Sequence, residues 1–360
     1  AAFMLNVAQP EDTGTIFVYI KNDLAGFYTI SDRDLRRIIA QEQANNLSKF
    51  YETPTLNSLL FADKELSIED KLKEHEDLIR DWGGTQSVGF GIKLLDEACG
   101  GFFPGEICVV CGGTGGMKTS LALNAVEDFI LRDMGHVLYI SVDMLPEEIY
   151  FRLILRETLD QYSEVELRGL VAADRHEYRA AKRFMLEKYD GKLSVEGHIP
   201  RKRIDMGKLR WHIAKQMPDL VIIDYLTMIE HAGKSDLDFV QLAMPEIHGI
   251  AQELKIPIMI LSQMSRASRA EQATGRMGGH ARGGGIVEEL ATVEIELRRE
   301  ENENSQADIF ATVTKTRRGI AGKIFLLDYR GKSMRFTGAA SKAERVVAKK
   351  PIFKKSESAW

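Results

Sequence analysis

The chain has 360 residues, 44% of them hydrophobic, enough for one large or two modest domains with a sizeable core. Its 48 Lys and Arg against 53 Asp and Glu give a net charge of −5, which argues against a protein that coats nucleic acid by bulk attraction. No run approaches the roughly 18 apolar residues of a membrane span, and no basic-then-apolar leader stands at the start, so the expectation is a cytoplasmic protein with no membrane partner.

Ala1-Ala2 opens the chain where an initiator methionine would stand, as in a trimmed or excised piece. Residues 1–66 carry apolar stretches such as Thr15 to Ile20 and a charged helical pattern from Asp32 to about Phe50, but no recognisable chemistry. A second charged helical pattern from Ser67 to Trp82, with Ser67 as N-cap and Asp70 three residues on, predicts a short helical arm and linker helix over 67–83. Gly83-Gly84 breaks it, and SVGFGIKLLDEACGGFFPGE leads into the next strand.

Ile107 to Cys111 is apolar and of strand length; Gly112, Gly113, Thr114, Gly115 and Gly116 follow, then Met117, Lys118, Thr119, Ser120 and an apolar periodic segment from Leu121 to Ile130. Strand, glycine loop and helix in that order predict a phosphate cradle, because backbone N–H groups and a helix N-terminus can surround an anion only where no side chain intervenes. Lys118 would reach the outer phosphates and the Thr119 hydroxyl would hold magnesium; ATP or another nucleoside triphosphate and Mg2+ are the implied cofactors. The alternative is an ordinary glycine-rich turn. One position departs from G-x-x-x-x-G-K-[ST]: Met117 stands where glycine is expected, so either the backbone there is near-helical or nucleotide binding is weakened.

Further along, Val137 to Val142 predicts a strand ending at Asp143. Charged helices fill about 146–188, Lys192 to Val195 reads as a short strand and Lys208 to Gln216 as a helix. Leu220 to Ile223 is an apolar strand ending in Asp224, Phe239 to Leu254 a helix, and Pro257 to Leu261 a strand with Ser262-Gln263 at its end. Strands alternating with helices predict an α/β domain with a largely parallel sheet. Val293 to Leu297, Ile309 to Lys315 and Lys323 to Leu327 follow without helices, predicting an antiparallel C-terminal extension. Residues 339–360 hold six Lys and Arg against two Glu and read as a basic disordered tail. Cys99, Cys108 and Cys111 are odd in number, and Cys108 and Cys111 point to opposite faces of their strand, which favours buried core thiols over a redox pair. The eight histidines are scattered without ligand spacing.

Ligands of an open parallel sheet sit beyond the carboxyl ends of its strands, so strand-end polar residues should converge on the glycine loop. Asp224 suits magnesium, Asp143 the attacking water and Gln263 the terminal phosphate; singly, each carboxylate is more often a strand-end turn residue, and only together with the phosphate loop does the balance reverse. The implied chemistry is nucleoside triphosphate hydrolysis by positioning and charge stabilisation.

From about Val88 to Gly338 the sequence resembles the RecA-like motor domain of DnaB-type replicative DNA helicases, phage-borne relatives included. The resemblance is carried by GFGIKLLDEACGGFFPGE, CGGTGGMKTS, SVDM with an arginine nine residues on, IIDYL, ILSQMSR, HARGGGIVEE and KTRRG. It implies a RecA-like P-loop core over 84–338 and an ATP-hydrolysing ring translocase, a homo-oligomer of hexameric type, that moves on single-stranded DNA to unwind duplex. Lys118 and Thr119 would meet phosphate and magnesium, Asp224 magnesium and Gln263 the γ-phosphate; Asp143 falls where the family has its catalytic glutamate, and Arg152 matches an arginine of the nucleotide site. Lys315 and Arg317 match a pair reaching a neighbour's triphosphate, Arg317 as arginine finger. Arg282, Gly283 and Gly285 fall on the DNA-contacting loop, with Arg266, Arg269 and Arg276 in a basic loop upstream. A primase, polymerase or loader would be a further partner, although the 83 residues ahead of this domain are too short for the family's usual helical collar and linker. Three positions depart from the family's pattern, Met117 in the phosphate loop, Asp143 in place of glutamate and Gly283 in place of an acidic residue in the DNA loop, and the carboxylate drawn back by one methylene at Asp143 would slow hydrolysis. The competing readings are a recombinase or clock-type RecA relative, and a nucleotide-gated DNA-binding assembly module with weak or no turnover.

Overall fold

The computed structural model describes residues 67–81, 87–113, 115–197, 206–224, 236–263, 285–301 and 307–341. Two compact units divide the chain: residues 1–73 with Arg210–Met217, and Glu74–Leu209 with Pro218–Trp360. In the first, the described residues belong to helices α1 (Ile68–Asp81), which continues into the second unit, and α7 (Met206–Gln216). The sequence-predicted helix from Asp32 to Phe50 lies outside the described residues.

The second unit is built on a nine-stranded sheet, among the described residues, in the order β3-β2-β4-β5-β1-β6-β7-β8-β9. Its strands are β1 (Ile107–Gly112), β2 (Val137–Ser141), β3 (Leu193–Gly197), β4 (Leu220–Asp224), β5 (Ile258–Gln263), β6 (Val293–Glu301), β7 (Ala307–Thr316), β8 (Ile324–Arg330) and β9 (Arg335–Ser341). All pairings from β3 across to β6 are parallel, and β6 to β9 pair antiparallel. The central parallel strands β1, β2, β4 and β5 read as near-continuous apolar runs, and β1, β2 and β4 are buried along their whole length, as strands enclosed on both faces are. The expected α/β core and antiparallel extension are both present.

Helices of this unit are α2 (Lys93–Cys99), α3 (Lys118–Leu131), α4 (Pro146–Arg156), α5 (Glu164–Ala172), α6 (His176–Tyr189), α8 (Asp236–Leu254) and α9 (Gly285–Leu290). Helix α3 is buried along most of its length, including Leu121, Leu123, Val126 and Phe129, as a helix apolar on several sides must be. Each such side chain stabilises the core by about 1.5–3 kcal/mol. Helix α4 starts on Pro146 with Glu147 and Glu148 in its first turn and ends on Arg156, charges that suit the helix dipole.

Two elements depart from the sequence reading. Residues 93–99, taken as a run into β1, form α2; it is short, and what ends it is Gly100 at φ 73°, where a side chain would be strained. The chain beyond Gly338, read as tail, continues as strand β9 to Ser341, because its partner β8 pairs Phe325 with Ser341 and Leu327 with Ala339. A strand whose own residues are small and weakly apolar is held by its neighbour's ladder, which composition does not display. Cys99, Cys108 and Cys111 are free and buried, as expected. Burial pushes the Cys99 thiol up to about 12 and those of Cys108 and Cys111 well above their ordinary range, so all three are inert at neutral pH.

Candidate nucleotide-binding site

The loop after β1 is held partly by its own backbone. Gly115 sits at φ 71°, and the Gly116 N–H donates to the Gly113 carbonyl at 3.0 Å. A Cβ on Gly116 would stand 2.9 Å from that same oxygen. Thr114 lies outside the described residues. Met117 takes the left-handed conformation, φ 59° and ψ 25°, that a glycine would adopt for nothing, and its side chain packs against the core. The near-helical backbone expected at 117 is therefore not what the chain adopts: the residue is left-handed, the conformation that favours glycine.

Lys118 begins α3, and its ammonium donates to the carbonyls of Gly112 and Gly113, both at 3.0 Å, so the charge lies along the loop itself. Thr119 is next. Its hydroxyl donates to Asp224 Oδ2 at 2.8 Å, joining the helix after the loop to the end of β4 across 105 positions of sequence. The same oxygen accepts the Tyr139 hydroxyl of β2 at 2.6 Å. Burial pushes the Asp224 carboxyl above the ordinary carboxylate range, opposed by both hydroxyls and by the charges of Lys118 and Arg152.

Sheet register places the remaining strand-end residues. Gly112 lies opposite Gln263, and Ser141 opposite Asp224, so Gln263 and Asp143 stand at the rim that carries the loop. Asp143 is exposed just past β2. Arg152 on α4 is half-buried, and its charge bears on Asp224, Tyr139 and Tyr329. Ser120 is buried; its side chain bonds Tyr329 and its carbonyl accepts Arg156 at 2.8 Å, so it braces the helix start from within.

Lys315 and Arg317 are elsewhere. Thr316 pairs with Val293, the Arg317 N–H donates to Thr292 at 3.1 Å, and the Thr292 N–H donates to Ile107, so this turn is level with the first residue of β1. Five residues of strand separate that level from Gly112, about 17 Å at the usual rise. The two groups occupy opposite ends of one sheet. Arg266, Arg269, Arg276, Arg282 and Gly283 lie outside the described residues; Gly285 is the exposed first residue of α9.

A hydroxyl and a carboxylate oxygen within 2.8 Å, next to a glycine loop, fit Mg2+, a hard ion that takes one or two protein oxygens and completes its shell with phosphate and water. Among the described residues no cluster of three His, Cys, Asp or Glu side chains offers a competing cage.

Two residues of this neighbourhood escaped the sequence reading. Tyr139 looked like one more apolar residue of a buried strand; the available signal was that a buried tyrosine needs a partner for its hydroxyl. Arg156 is wholly buried, reaching Glu127, Ser120, Asn124 and Met334. Glu127 also meets Lys188 and Arg335, so a buried ionic cluster ties α3 to α4, α6 and β9.

The chain is similar to known proteins in sequence and in fold. The chain is 24% identical over 270 residues to the replicative DNA helicase DnaB of Pasteurella multocida (strain Pm70), covering 72% of this chain and 57% of the relative. It is 23% identical over 324 residues to DnaB of Haemophilus influenzae, covering 88% and 67%. The chain therefore spans only part of the length of the curated relatives it matches. Among solved structures, an isolated ATPase domain superposes with a TM-score of 0.64 at 20% identity, over 77% of this chain and 99% of that one. A DnaB-like replicative helicase, described with its interactions with primase, gives 0.63 at 18% identity, over 85% and 76%. The fold is RecA-like. A profile of the DnaB-like helicase C terminal domain runs from Ser87, ahead of the first strand, to Gly338 in the last, and since it takes in every site residue placed above, the chain belongs to that family.

Proposed function

We propose that this chain is the ATP-driven motor of a replicative DNA helicase, a ring-forming translocase on single-stranded DNA that works in the cytoplasm of a bacterial or phage-infected cell. The observation that carries the reading is the Thr119 to Asp224 hydrogen bond, because it brings the two magnesium-type oxygens together at the mouth of a glycine loop that already holds Lys118. The amides of Gly113 and Gly115 and the start of α3, joined by that of Gly116 once it leaves the Gly113 carbonyl, would bind the phosphates of ATP or another nucleoside triphosphate, and Lys118 would exchange its two carbonyl partners for phosphate oxygens. Mg2+, held by Thr119 and Asp224, would neutralise charge on the outer phosphates. Asp143 orients the attacking water, Gln263 contacts the terminal phosphate, and Arg152 adds positive charge beside Asp224.

The separation of Lys315 and Arg317 from their own loop supports a ring. An arginine about 17 Å away along the sheet cannot serve its own nucleotide, whereas a neighbour's site can receive it. We take the assembly to be hexameric, with Arg282, Gly283, Gly285 and the arginines at 266, 269 and 276 lining a pore for single-stranded DNA phosphates. A primase, loader or polymerase partner follows from the same reading.

The test is an ATPase assay titrated with single-stranded DNA on protein whose mass is measured by light scattering. DNA-stimulated turnover by a closed ring, abolished by Lys118→Ala, is expected. Nucleotide binding without turnover under any condition would replace the motor with a gated DNA-binding module, and filaments on DNA in place of rings would point to a recombinase-type relative.

A further inference from the structure

The KTRRG turn contains two adjacent arginines that the structure treats in opposite ways. Arg317 is exposed, and among the described residues its guanidinium makes no hydrogen bond; burial and, after it, the charge of Arg317 hold the Lys315 ammonium and the His248 imidazole below their ordinary pKa values. Arg318 is pinned. Its two terminal nitrogens donate to the two oxygens of Glu106 at 2.8 and 2.5 Å, and its guanidinium stacks 4.6 Å from the centre of the Phe103 ring.

The backbone around the pair is fastened as firmly. Thr316 Oγ1 donates to the Cys99 carbonyl at 2.6 Å and accepts the N–H groups of Arg318 and Gly319 at 3.2 and 3.0 Å. The Ile320 N–H donates to the Ala98 carbonyl at 2.9 Å. Gly319 is pressed so closely on the end of α2 that a Cβ would stand 1.9 Å from the Ala98 oxygen. Residues 316–320 are therefore seated on the end of α2 and on the Phe103 to Glu106 segment that leads into β1.

We infer that Arg318, through its forked bond to Glu106 and its stacking on Phe103, is the positioning residue that fixes the turn so that Arg317 faces a neighbouring copy of this chain. The inference rests on the ring reading above. Two long cationic side chains side by side on this seated turn would splay under mutual repulsion; tying one to a carboxylate removes that freedom and sets the direction of the other. Arg suits the task because its planar fork matches both carboxylate oxygens and lies flat on an aromatic ring, which an ammonium cannot do. Since Glu106 directly precedes the strand that feeds the phosphate loop, the same bond also connects each protomer's own site to the arginine it lends.

The test mixes subunits of this 360-residue chain. Lys118→Ala subunits, whose own loop is dead, are titrated into wild-type rings alone or carrying Arg317→Ala or Arg318→Ala as well, and DNA-stimulated ATPase is read with ring mass and melting temperature. Loss of the finger should cost the receiving site about 10^3 in rate, and a finger displaced by about 1 Å some 10^2. Arg318→Ala should therefore deepen the poisoning well beyond Lys118→Ala alone without loosening the ring, and Arg318→Lys should rescue little. Should Arg318→Ala disturb folding or ring mass, Glu106→Gln, nearly the same shape, is read in the same way. Poisoning by the Arg317 double variant with none by the Arg318 or Glu106 variants would overturn the positioning role and leave the ring reading standing. No added poisoning by either would remove the trans-acting arginine itself.

Discussion

Replacing Tyr139 by phenylalanine removes one atom from the site and tests how Asp224 is held. The ring stays in the core, since Tyr139 is fully buried, and only the 2.6 Å bond to Asp224 Oδ2 is lost. A hydrogen bond to an ionised group is worth about 1.5–3 kcal/mol; Thr119 still donates to the same oxygen, so the lower half of that range is expected, about 1.5–2 kcal/mol. For a domain of this size that lowers the melting temperature by about 3–8 °C. In an Asp224→Asn background the acceptor is neutral, and the same substitution should cost only about 0.5–1.5 kcal/mol, leaving a coupling of roughly 1 kcal/mol in the double-mutant cycle. The assay is urea or thermal unfolding of the four proteins at one neutral pH, followed by calorimetric titration of Mg2+ with nucleotide, in which Tyr139→Phe should bind the ion more weakly. Equal losses in both backgrounds, or none in either, would show that the tyrosine does not grip a charged Asp224 and would refute the reasoning.

Met117 in the left-handed region costs about 1–2 kcal/mol, but glycine there would give up roughly 0.4–1 kcal/mol of unfolded-chain entropy as well as thioether packing. Met117→Gly should thus unfold within about 1 kcal/mol of wild type, while branched Met117→Val should lose more than that together with nucleotide affinity; urea unfolding decides, and a fully stable valine variant would contradict the observed backbone. Asp96 accepts the N–H groups of Phe90 and Ile92 at 2.6 and 3.0 Å, yet burial raises its pKa from 3.8 to about 6. A carboxyl raised in the folded state contributes stability that is full below pH 3.8 and lost as pH rises through 6. Between pH 5 and 8 wild type should lose about 1.4 kcal/mol relative to Asp96→Asn at 1.36 kcal/mol per pKa unit, and a difference that stays constant over that range would exclude the shift.

Much of this site was legible because its signals are local. A strand shows in an apolar run, a helix in its period and a phosphate loop in glycines followed by Lys118 and Thr119, all within one stretch of chain. Asp224, Gln263 and Asp143 were singled out as candidates by asking what closes each strand, a question answerable one strand at a time. Helix α2 and strand β9 were missed for the complementary reason: α2 is only seven residues long, and β9 exists by pairing with β8.

The amino-acid sequence by itself determined the order of strands and helices, the glycine loop and the residues at the strand ends, since side-chain period and backbone freedom act over a few residues. Tertiary structure alone decided that Tyr139 and Thr119 share one oxygen of Asp224, that Arg156 is buried among carbonyls and Glu127, and that Arg318 is pinned while Arg317 is exposed. It also set the turn of Lys315 and Arg317 at the far end of the sheet from the loop. Those facts follow from sheet order and register, which are fixed by pairings between segments far apart in the chain and so leave no mark on either segment alone.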